Sequence, residues 1–320
     1  MPLVDMPLEQ LETYTGITPR PADFDEYWSH ALAELEAQPD NVELIDADLD
    51  TPFARCRHLF FSGVRGARVH AKLLEPKHPP QERGPALLRF HGYSGGSGDW
   101  FDKLPYVAAG FTVAALDCRG QAGLSEDSAA VRGTTFRGHI IRGLSEGADK
   151  LLFRSIFLDT AQLARIVANL PSVDPDRISA AGGSQGGGLT LACAALYPSI
   201  KLAAPVYPFL SDYKRVWEMD LAERAYAEIR EYLRAYDPLH ERVDEMFNRL
   251  GYIDVHHLAP RIKARVLMSI TLMDDVCPPS TQFAAYNAIS SQKDKLVYPD
   301  FKHERLPGNE DRILQFLLAT

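Results

Sequence analysis

A serine flanked by glycines lies near the middle of the chain, in the order Gly182, Gly183, Ser184, Gln185 and Gly186. The apolar run 178–181 before it predicts a strand, and residues 189–196 after it predict a helix. A sharp turn between a strand and a helix exposes a serine hydroxyl, and small neighbours relieve the crowding of such a turn. We therefore predict that Ser184 is a nucleophile. The alternative is a glycine-rich loop with an incidental serine.

A serine hydroxyl needs a neighbouring base, and the chain has 10 histidines that compete for this role. In hydrolases that carry this type of turn, the chain order is serine, acid, histidine. His303 follows the predicted strand 295–298 and precedes the predicted helix 310–318, so it alone occupies the expected place. The sequence therefore predicts His303 as the base. For any other histidine, a surface or core position is the simpler interpretation.

The base must be held in one tautomer by an acid. Asp274 and Asp275 both follow the predicted strand 265–271, shortly before Pro278 begins the next helix. Asp274 comes first after the strand, so we prefer it as the orienting acid and keep Asp275 as the alternative. The carboxylate that does not orient the base is expected to cap the helix.

Acyl transfer also requires donors for the developing oxyanion. The first is expected to be the backbone N–H of Gln185, which follows the nucleophile, and the second comes from a loop after an early strand. The segment from His91 to Gly96 lies directly after the predicted strand 86–90, which makes the Tyr93 N–H the candidate. The alternative is a plain glycine-rich turn.

Strands and helices alternate along most of the chain, which predicts an α/β fold with a mostly parallel sheet covered on both faces. The predicted strands are 86–90, 111–116, 178–181, 202–206, 265–271 and 295–298, and the predicted helices include 151–170, 278–290 and 310–318. Residues 1–75 form an expected N-terminal extension, with a helix at 22–37 and a hairpin of 57–62 and 68–74. Residues 208–262 predict an insertion of two or three helices over the ligand crevice. Tyr93 precedes the insertion and His303 follows it, so we expect one domain over 1–320.

Composition narrows the classes of partner. With 34 basic and 43 acidic residues the formal net charge is −9, and no basic run is present, so we expect no nucleic-acid or membrane partner. The four cysteines are far apart, which predicts free thiols in a reducing compartment, and we expect a cytoplasmic enzyme without a signal peptide. Asp254, His256 and His257 could suggest metal ligands, but no metallohydrolase motif is present. We therefore expect no metal.

Several segments together resemble carbohydrate esterase family 7, the acetyl xylan esterases and cephalosporin C deacetylases of the α/β-hydrolase superfamily. These segments are RFHGYSGG, the triplet Arg119-Gly120-Gln121, GGSQGGG, MDDVCPPSTQFAAYNAI, His303-Glu304 and the N-terminal DFDEYW. The resemblance covers nearly the whole chain. It implies a triad of Ser184, Asp274 and His303, oxyanion donors at Tyr93 and Gln185, and a structural role for Arg119.

The resemblance also implies a cofactor-free hexamer whose assembly restricts access, which favours small acetylated sugars or antibiotic esters as substrates. Two features depart from the family pattern: the charged Arg305 after His303-Glu304, and the long loop 121–150, which contains His139. Both affect the expected substrate more than the mechanism. The alternatives are another short-chain carboxylesterase, a peptidase-like hydrolase or a binding scaffold of the same fold.

Overall fold

The computed structural model describes residues 4–79, 82–132 and 138–319. These residues form one sheet of nine strands: β1 (Glu43–Asp50), β2 (Ala54–Gly63), β3 (Ala67–Pro76), β4 (Gly84–Phe90), β5 (Thr112–Asp117), β6 (Val173–Gly183), β7 (Leu202–Val206), β8 (Arg265–Thr271) and β9 (Lys293–Tyr298). The strand order across the sheet is β1-β2-β3-β5-β4-β6-β7-β8-β9. The predicted α/β-hydrolase fold, a mostly parallel sheet between helices, is confirmed.

The two parts of the sheet differ in direction. Strands β4 to β9 pair in parallel, whereas β1 pairs antiparallel with β2, β2 with β3, and β3 with β5. The carboxyl ends of the parallel strands share one edge of the sheet, where ligands of such folds bind. The predicted hairpin of 57–62 and 68–74 is confirmed as β2 and β3. Strand β1 was not predicted, although Ile45, Ala47 and Leu49 alternate with aspartates along it; aspartate is uncommon in strands, and most of β1 is exposed.

The helices lie on both faces of the sheet. They are α1 (Leu8–Leu11), α2 (Phe24–Glu36), α3 (Leu104–Ala108), α4 (Leu152–Ala168), α5 (Gln185–Leu196), α6 (Tyr213–Glu218), α7 (Ala227–Tyr236), α8 (Val243–Leu250), α9 (Val255–Leu258), α10 (Pro279–Ala288) and α11 (Asn309–Leu317). The larger core cluster joins α2, α4, α5 and α10 to one face, and α3 and α11 cover the other. In the part of the chain that is described, no helix has both the length and the apolar character needed to cross a bilayer.

Residues 208–262, all described, contain the four helices α6 to α9, so the prediction of two or three helices was too low. The extra helices are short, and their apolar stripes are too brief to separate by periodicity. The N-terminal extension is fastened to this insertion. Asp212 accepts hydrogen bonds from the Ile17 N–H at 3.0 Å and the Thr18 N–H at 2.9 Å, and Trp28 Nε1 donates to the Tyr252 carbonyl at 3.0 Å.

The four cysteines all lie in described segments, and each is free and buried, as predicted. The loop predicted at 121–150 contains short 3-10 turns at Leu144–Glu146 and Ala148–Lys150. Residues 133–137 of that loop lie outside the described residues.

Candidate active site

Ser184 occupies a strained turn between β6 and α5, with φ 57° and ψ −121°. Non-glycine residues seldom adopt a positive φ, and such strain concentrates at functional sites. The glycines beside it are required for a different reason. A Cβ atom at Gly182 would lie 2.6 Å from the Phe90 carbonyl oxygen, and one at Gly186 would lie 2.1 Å from that oxygen. The turn therefore closes only because both positions lack a side chain.

The structure brings Ser184, His303 and Asp274 into one hydrogen-bonded chain. His303 Nε2 lies 2.9 Å from Ser184 Oγ, and His303 Nδ1 lies 2.8 Å from Asp274 Oδ2. A proton on Nδ1 donated to the carboxylate leaves Nε2 as an acceptor for the serine hydroxyl. The arrangement can therefore activate the hydroxyl as a nucleophile.

Asp274 is fully buried and fixed by the loop that carries it. Its Oδ1 accepts the backbone N–H groups of Val276 and Cys277, each at 2.8 Å, while Oδ2 accepts the Thr271 hydroxyl at 3.2 Å and faces His303. Asp275 points elsewhere, since its carboxylate lies 3.7 Å from the Arg224 guanidinium near the surface. Of the two predicted acids, the structure thus places Asp274 against the base. The expected helix-capping role of Asp275 is not seen, because its partner is Arg224.

The two predicted oxyanion donors belong to neighbouring segments. Gln185 is the first residue of α5, where the backbone N–H has no acceptor in a preceding turn. Its side-chain Nε2 lies 3.4 Å from the His91 carbonyl oxygen and 3.5 Å from that of Gly92. The loop that carries Tyr93 is therefore held directly against the start of α5.

The Arg119-Gly120-Gln121 triplet fastens these segments to the core. Arg119 is buried and donates two hydrogen bonds to Asp159 of α4, at 2.7 and 2.5 Å. Gln121 and Gln185 exchange a pair of amide hydrogen bonds at 2.9 and 3.0 Å. Through these contacts the triplet connects the start of α5, next to Ser184, to the buried helix α4.

Sequence reasoning missed Glu228, a residue of α7. Its buried carboxylate accepts hydrogen bonds from the Tyr93 hydroxyl and, at 3.0 Å, from the Ile141 N–H. The Tyr93 hydroxyl in turn accepts the His139 N–H at 3.0 Å. Burial, the largest influence, raises the pKa of Glu228 to about 7 although these donors oppose the shift. No sequence signal marks Glu228, because its partners lie in distant segments.

Two further neighbours of the triad were also missed. The Tyr207 ring lies 4.6 Å from the His303 ring, between centroids. Possible ligand atoms of Asp274, Cys277 and His303 lie within 4.8 Å of one another, so the Cys277 thiol is part of the same cluster. Burial raises the pKa of Cys277 well above its ordinary value and keeps it a neutral thiol.

Two cavities lie near the residues of the site. One of about 260 Å³ lies between the Tyr93 loop and α7 and is also lined by His139 and Arg224. The other, of about 360 Å³, is lined by Gly183, Tyr207 and Arg305. Arg305 thus borders a cavity that also reaches the nucleophile turn at Gly183.

The histidines near Asp254 serve the packing of the N-terminal extension. His256 Nδ1 lies 2.6 Å from Asp254 Oδ1, and His257 Nε2 lies 3.1 Å from the Thr18 carbonyl oxygen. Asp254 also caps α9 by accepting the His256 N–H. The three side chains lie close enough together to ligate a cation, and these contacts give them a structural role.

Comparison with known proteins gives a consistent result. The profile of the acetyl xylan esterase (AXE1) family matches residues 1–320. The crystal structure of acetyl xylan esterase 1 from Thermoanaerobacterium sp. JW/SL YS485 is similar, with 59% identity, a TM-score of 0.97, and coverage of 98% of this chain and 99% of that one. Acetyl xylan esterase from Paenibacillus sp. R4 has 35% identity and a TM-score of 0.93, with coverage of 98% and 99%.

A curated relative is the acetyl esterase Axe7A of Xylanibacter ruminicola, 26% identical over 305 residues. That alignment covers 92% of this chain but 65% of the relative, so the chain spans a little less than two thirds of that protein's length.

Proposed function

The chain belongs to the acetyl xylan esterase family, whose activity is that of a carboxylic ester hydrolase, and on this premise we propose that it is a serine esterase. It removes acetyl groups from small acetylated substrates through an acetyl-enzyme. The observation that carries the proposal is the chain of hydrogen bonds from Ser184 through His303 to Asp274.

In the proposed reaction, Ser184 Oγ attacks the ester carbonyl carbon while His303 Nε2 takes the hydroxyl proton. Asp274 holds the imidazole in the required tautomer and stabilises its positive charge. The bond to the leaving alcohol then breaks as His303 returns the proton to the alcohol oxygen, which leaves the acetyl group on Ser184. Water attacks this ester with His303 again as base, and acetate leaves.

The tetrahedral intermediates carry a negative oxygen, which we place against the backbone N–H groups of Tyr93 and Gln185. The start of α5 supports this placement, because the N-terminus of a helix favours negative charge. The contact between the Gln185 side chain and the loop of Tyr93 supports a short separation of the two proposed donors.

Replacing the nucleophile tests the mechanism. We expect Ser184→Ala to lower kcat for p-nitrophenyl acetate by roughly 10⁵-fold or more, since the covalent step is lost. Ser29→Ala, an exposed serine of α2 that donates to a carbonyl of its own helix, is the matched control and is expected to keep full activity. Equal rates for Ser184→Ala and the wild type would refute the assignment.

For the substrate we propose acetylated xylo-oligosaccharides or cephalosporin C-like esters rather than long-chain esters. Membership of the acetyl xylan esterase family supports a short acyl group. We expect rates to fall from p-nitrophenyl acetate to the butyrate and octanoate. Acetate release from a panel of acetylated sugars then ranks the natural candidates, and faster octanoate turnover would exclude this proposal.

We further propose one catalytic domain over 1–320, a hexamer, and a cytoplasmic location. One core cluster that contains Trp28, Phe157, Phe209 and Phe283 supports the single domain. The edge strand β1 exposes apolar side chains such as Ile45, which supports association. The four free, buried thiols are typical of a reducing compartment. Light scattering after gel filtration measures the oligomer directly.

A further inference from the structure

A buried junction joins the proposed oxyanion loop to the helical insertion. It consists of Tyr93, the segment of His139 to Ile141, and Glu228. Tyr93 and Glu228 are separated by 135 residues in sequence, and Glu228 is 4% exposed. Glu228 is the acceptor on which both other segments converge.

We propose that Glu228 is a positioning residue that holds the Tyr93 N–H in place for the oxyanion, and that it does so in its ionised form. The inference rests on the proposed function, because it assumes that the Tyr93 N–H stabilises the intermediate. Glu228 does not touch the reacting atoms, and its effect passes through the Tyr93 side chain to the backbone of the same residue.

The donors around the carboxyl group explain why the ionised form is needed. An ionised carboxylate accepts on both oxygens, and here one oxygen accepts the Tyr93 hydroxyl and the other the Ile141 N–H. The Ile141 N–H cannot reverse its direction, so a proton on Glu228 has to face the tyrosine hydroxyl. That hydroxyl already accepts the His139 N–H, and its own hydrogen then loses its acceptor. Protonation thus replaces a charge-assisted hydrogen bond by a weaker neutral one.

No cation among the described neighbours offsets the buried charge. His139, whose ring packs on Tyr93, has its pKa lowered by burial to about 4 and is neutral at pH 7. Arg224 borders the adjacent cavity but pairs with Asp275. Glu231 of the same helix is a like charge and disfavours ionisation.

Among the described residues, the remaining titratable neighbour is Tyr213 of α6, which is fully buried. It donates its hydroxyl to the Ile253 carbonyl, and its pKa is raised well above the ordinary value by burial, so it stays neutral. Burial raises the pKa of Glu228 to about 7. The fraction of enzyme with a firmly held Tyr93 therefore grows as the pH rises through 7.

The variant Glu228→Gln mimics the enzyme with protonated Glu228 at every pH, because a glutamine side chain has the shape of the protonated acid and cannot ionise. The measurement is kcat and KM for p-nitrophenyl acetate from pH 5 to 9, expressed as the ratio of wild type to Glu228→Gln. The pH dependence of the rate that comes from the general base is the same in both proteins, so it cancels in this ratio. Glu223→Gln, an exposed glutamate ahead of α7, is the charge-matched control.

We expect the ratio of kcat/KM to be near 1 at low pH and to rise to about tenfold above pH 8, less than the loss from deleting an oxyanion donor. Its midpoint is expected near pH 7, with the change in kcat and little change in KM. Tyr93→Phe, which keeps the N–H and removes the hydroxyl, is expected to lose a similar factor at pH 8. The double variant should lose no more than either single variant.

A flat ratio across the pH range, or additive losses in the double variant, overturns the inference. If Glu228→Gln does not fold, Tyr93→Phe decides the matter, and wild-type kcat at pH 8 in that variant overturns it. An unchanged rate in Ser184→Ala would instead overturn the proposed function, so the two failures are distinguishable.

Discussion

The two sides of the proposed site are built in different ways. Ser184, Asp274 and His303 follow the carboxyl ends of β6, β8 and β9, and the regular sheet brings these ends together. Tyr93 is instead held by Glu228 from the insertion and by His139 from a long loop. The nucleophile, acid and base thus form a sheet side of the site, at the ends of regular strands. Tyr93, Glu228 and His139 form an insertion side, which depends on contacts among irregular segments.

The two sides also differ in how their buried carboxylates are stabilised. The Asp274 carboxylate is satisfied by two backbone N–H groups of its own loop and by His303, all within 29 residues of it. The Glu228 carboxylate depends on donors from segments 87 and 135 residues away. We therefore expect the sheet side to keep its geometry over a broad pH range and the insertion side to respond to pH.

The largest expected effect lies on the sheet side. Asp274→Asn leaves the shape intact but favours the wrong imidazole tautomer, so kcat should fall by roughly 10⁴-fold. Asp275→Asn removes only an exposed ion pair with Arg224 and should change kcat less than about threefold. Steady-state kinetics on p-nitrophenyl acetate compares the two, and the reverse order of losses would make Asp275 the acid.

The next largest effect is expected from Gly186→Ala, which disrupts the packing of α5 against the segment that leads into the Tyr93 loop. An alanine Cβ at Gly186 would lie 2.1 Å from the Phe90 carbonyl oxygen, so the start of α5 has to move away from the oxyanion loop. We expect Gly186→Ala to lose about 3 kcal/mol of unfolding free energy and about 100-fold in kcat.

Gly183→Ala is the matched control for that variant. Its Cβ would lie 3.5 Å from the Tyr207 ring, an ordinary contact, and we expect a change within about 1 kcal/mol. Urea unfolding monitored by circular dichroism measures both variants. Equal stabilities would show that the crowding at position 186 relaxes at no cost.

The smallest effect concerns stability on the insertion side. Because burial raises the pKa of Glu228 from 4.5 to about 7, the folded protein keeps a proton that the unfolded chain has lost. Stability from this group is therefore full below about pH 4.5 and is lost as the pH rises through 7. Relative to the wild type, Glu228→Gln should gain about 2–3 kcal/mol between pH 5 and 8.

Unfolding free energies at pH 5 and pH 8 test this sign. Glu223→Gln, exposed, should show no such difference. A wild type that becomes more stable than Glu228→Gln between the two pH values would contradict the raised pKa. Together with the kinetic ratio, this test has a clear expected result. As the pH rises through 7, ionised Glu228 should raise kcat and lower the free energy of unfolding.

The contrast between the two sides also explains what the sequence could predict. The chain order of Ser184, Asp274 and His303 follows from strands with recognisable apolar runs, and the placement of loops after parallel strands is a general rule. The edge strand β1 was missed although Ile45, Ala47 and Leu49 alternate along it, because the intervening aspartates are uncommon in strands. Glu228 was missed because a buried carboxylate in an amphipathic helix resembles any exposed glutamate until its distant partners are known.

The most direct test of the central claim is to trap the acetyl-enzyme. The enzyme is mixed with p-nitrophenyl acetate, quenched in acid within milliseconds, digested and examined by mass spectrometry. We predict an added acetyl group on the peptide that contains Ser184, and its absence in Ser184→Ala. An acetyl group on another residue, or a wild-type rate of acetate release from Ser184→Ala, would contradict the account.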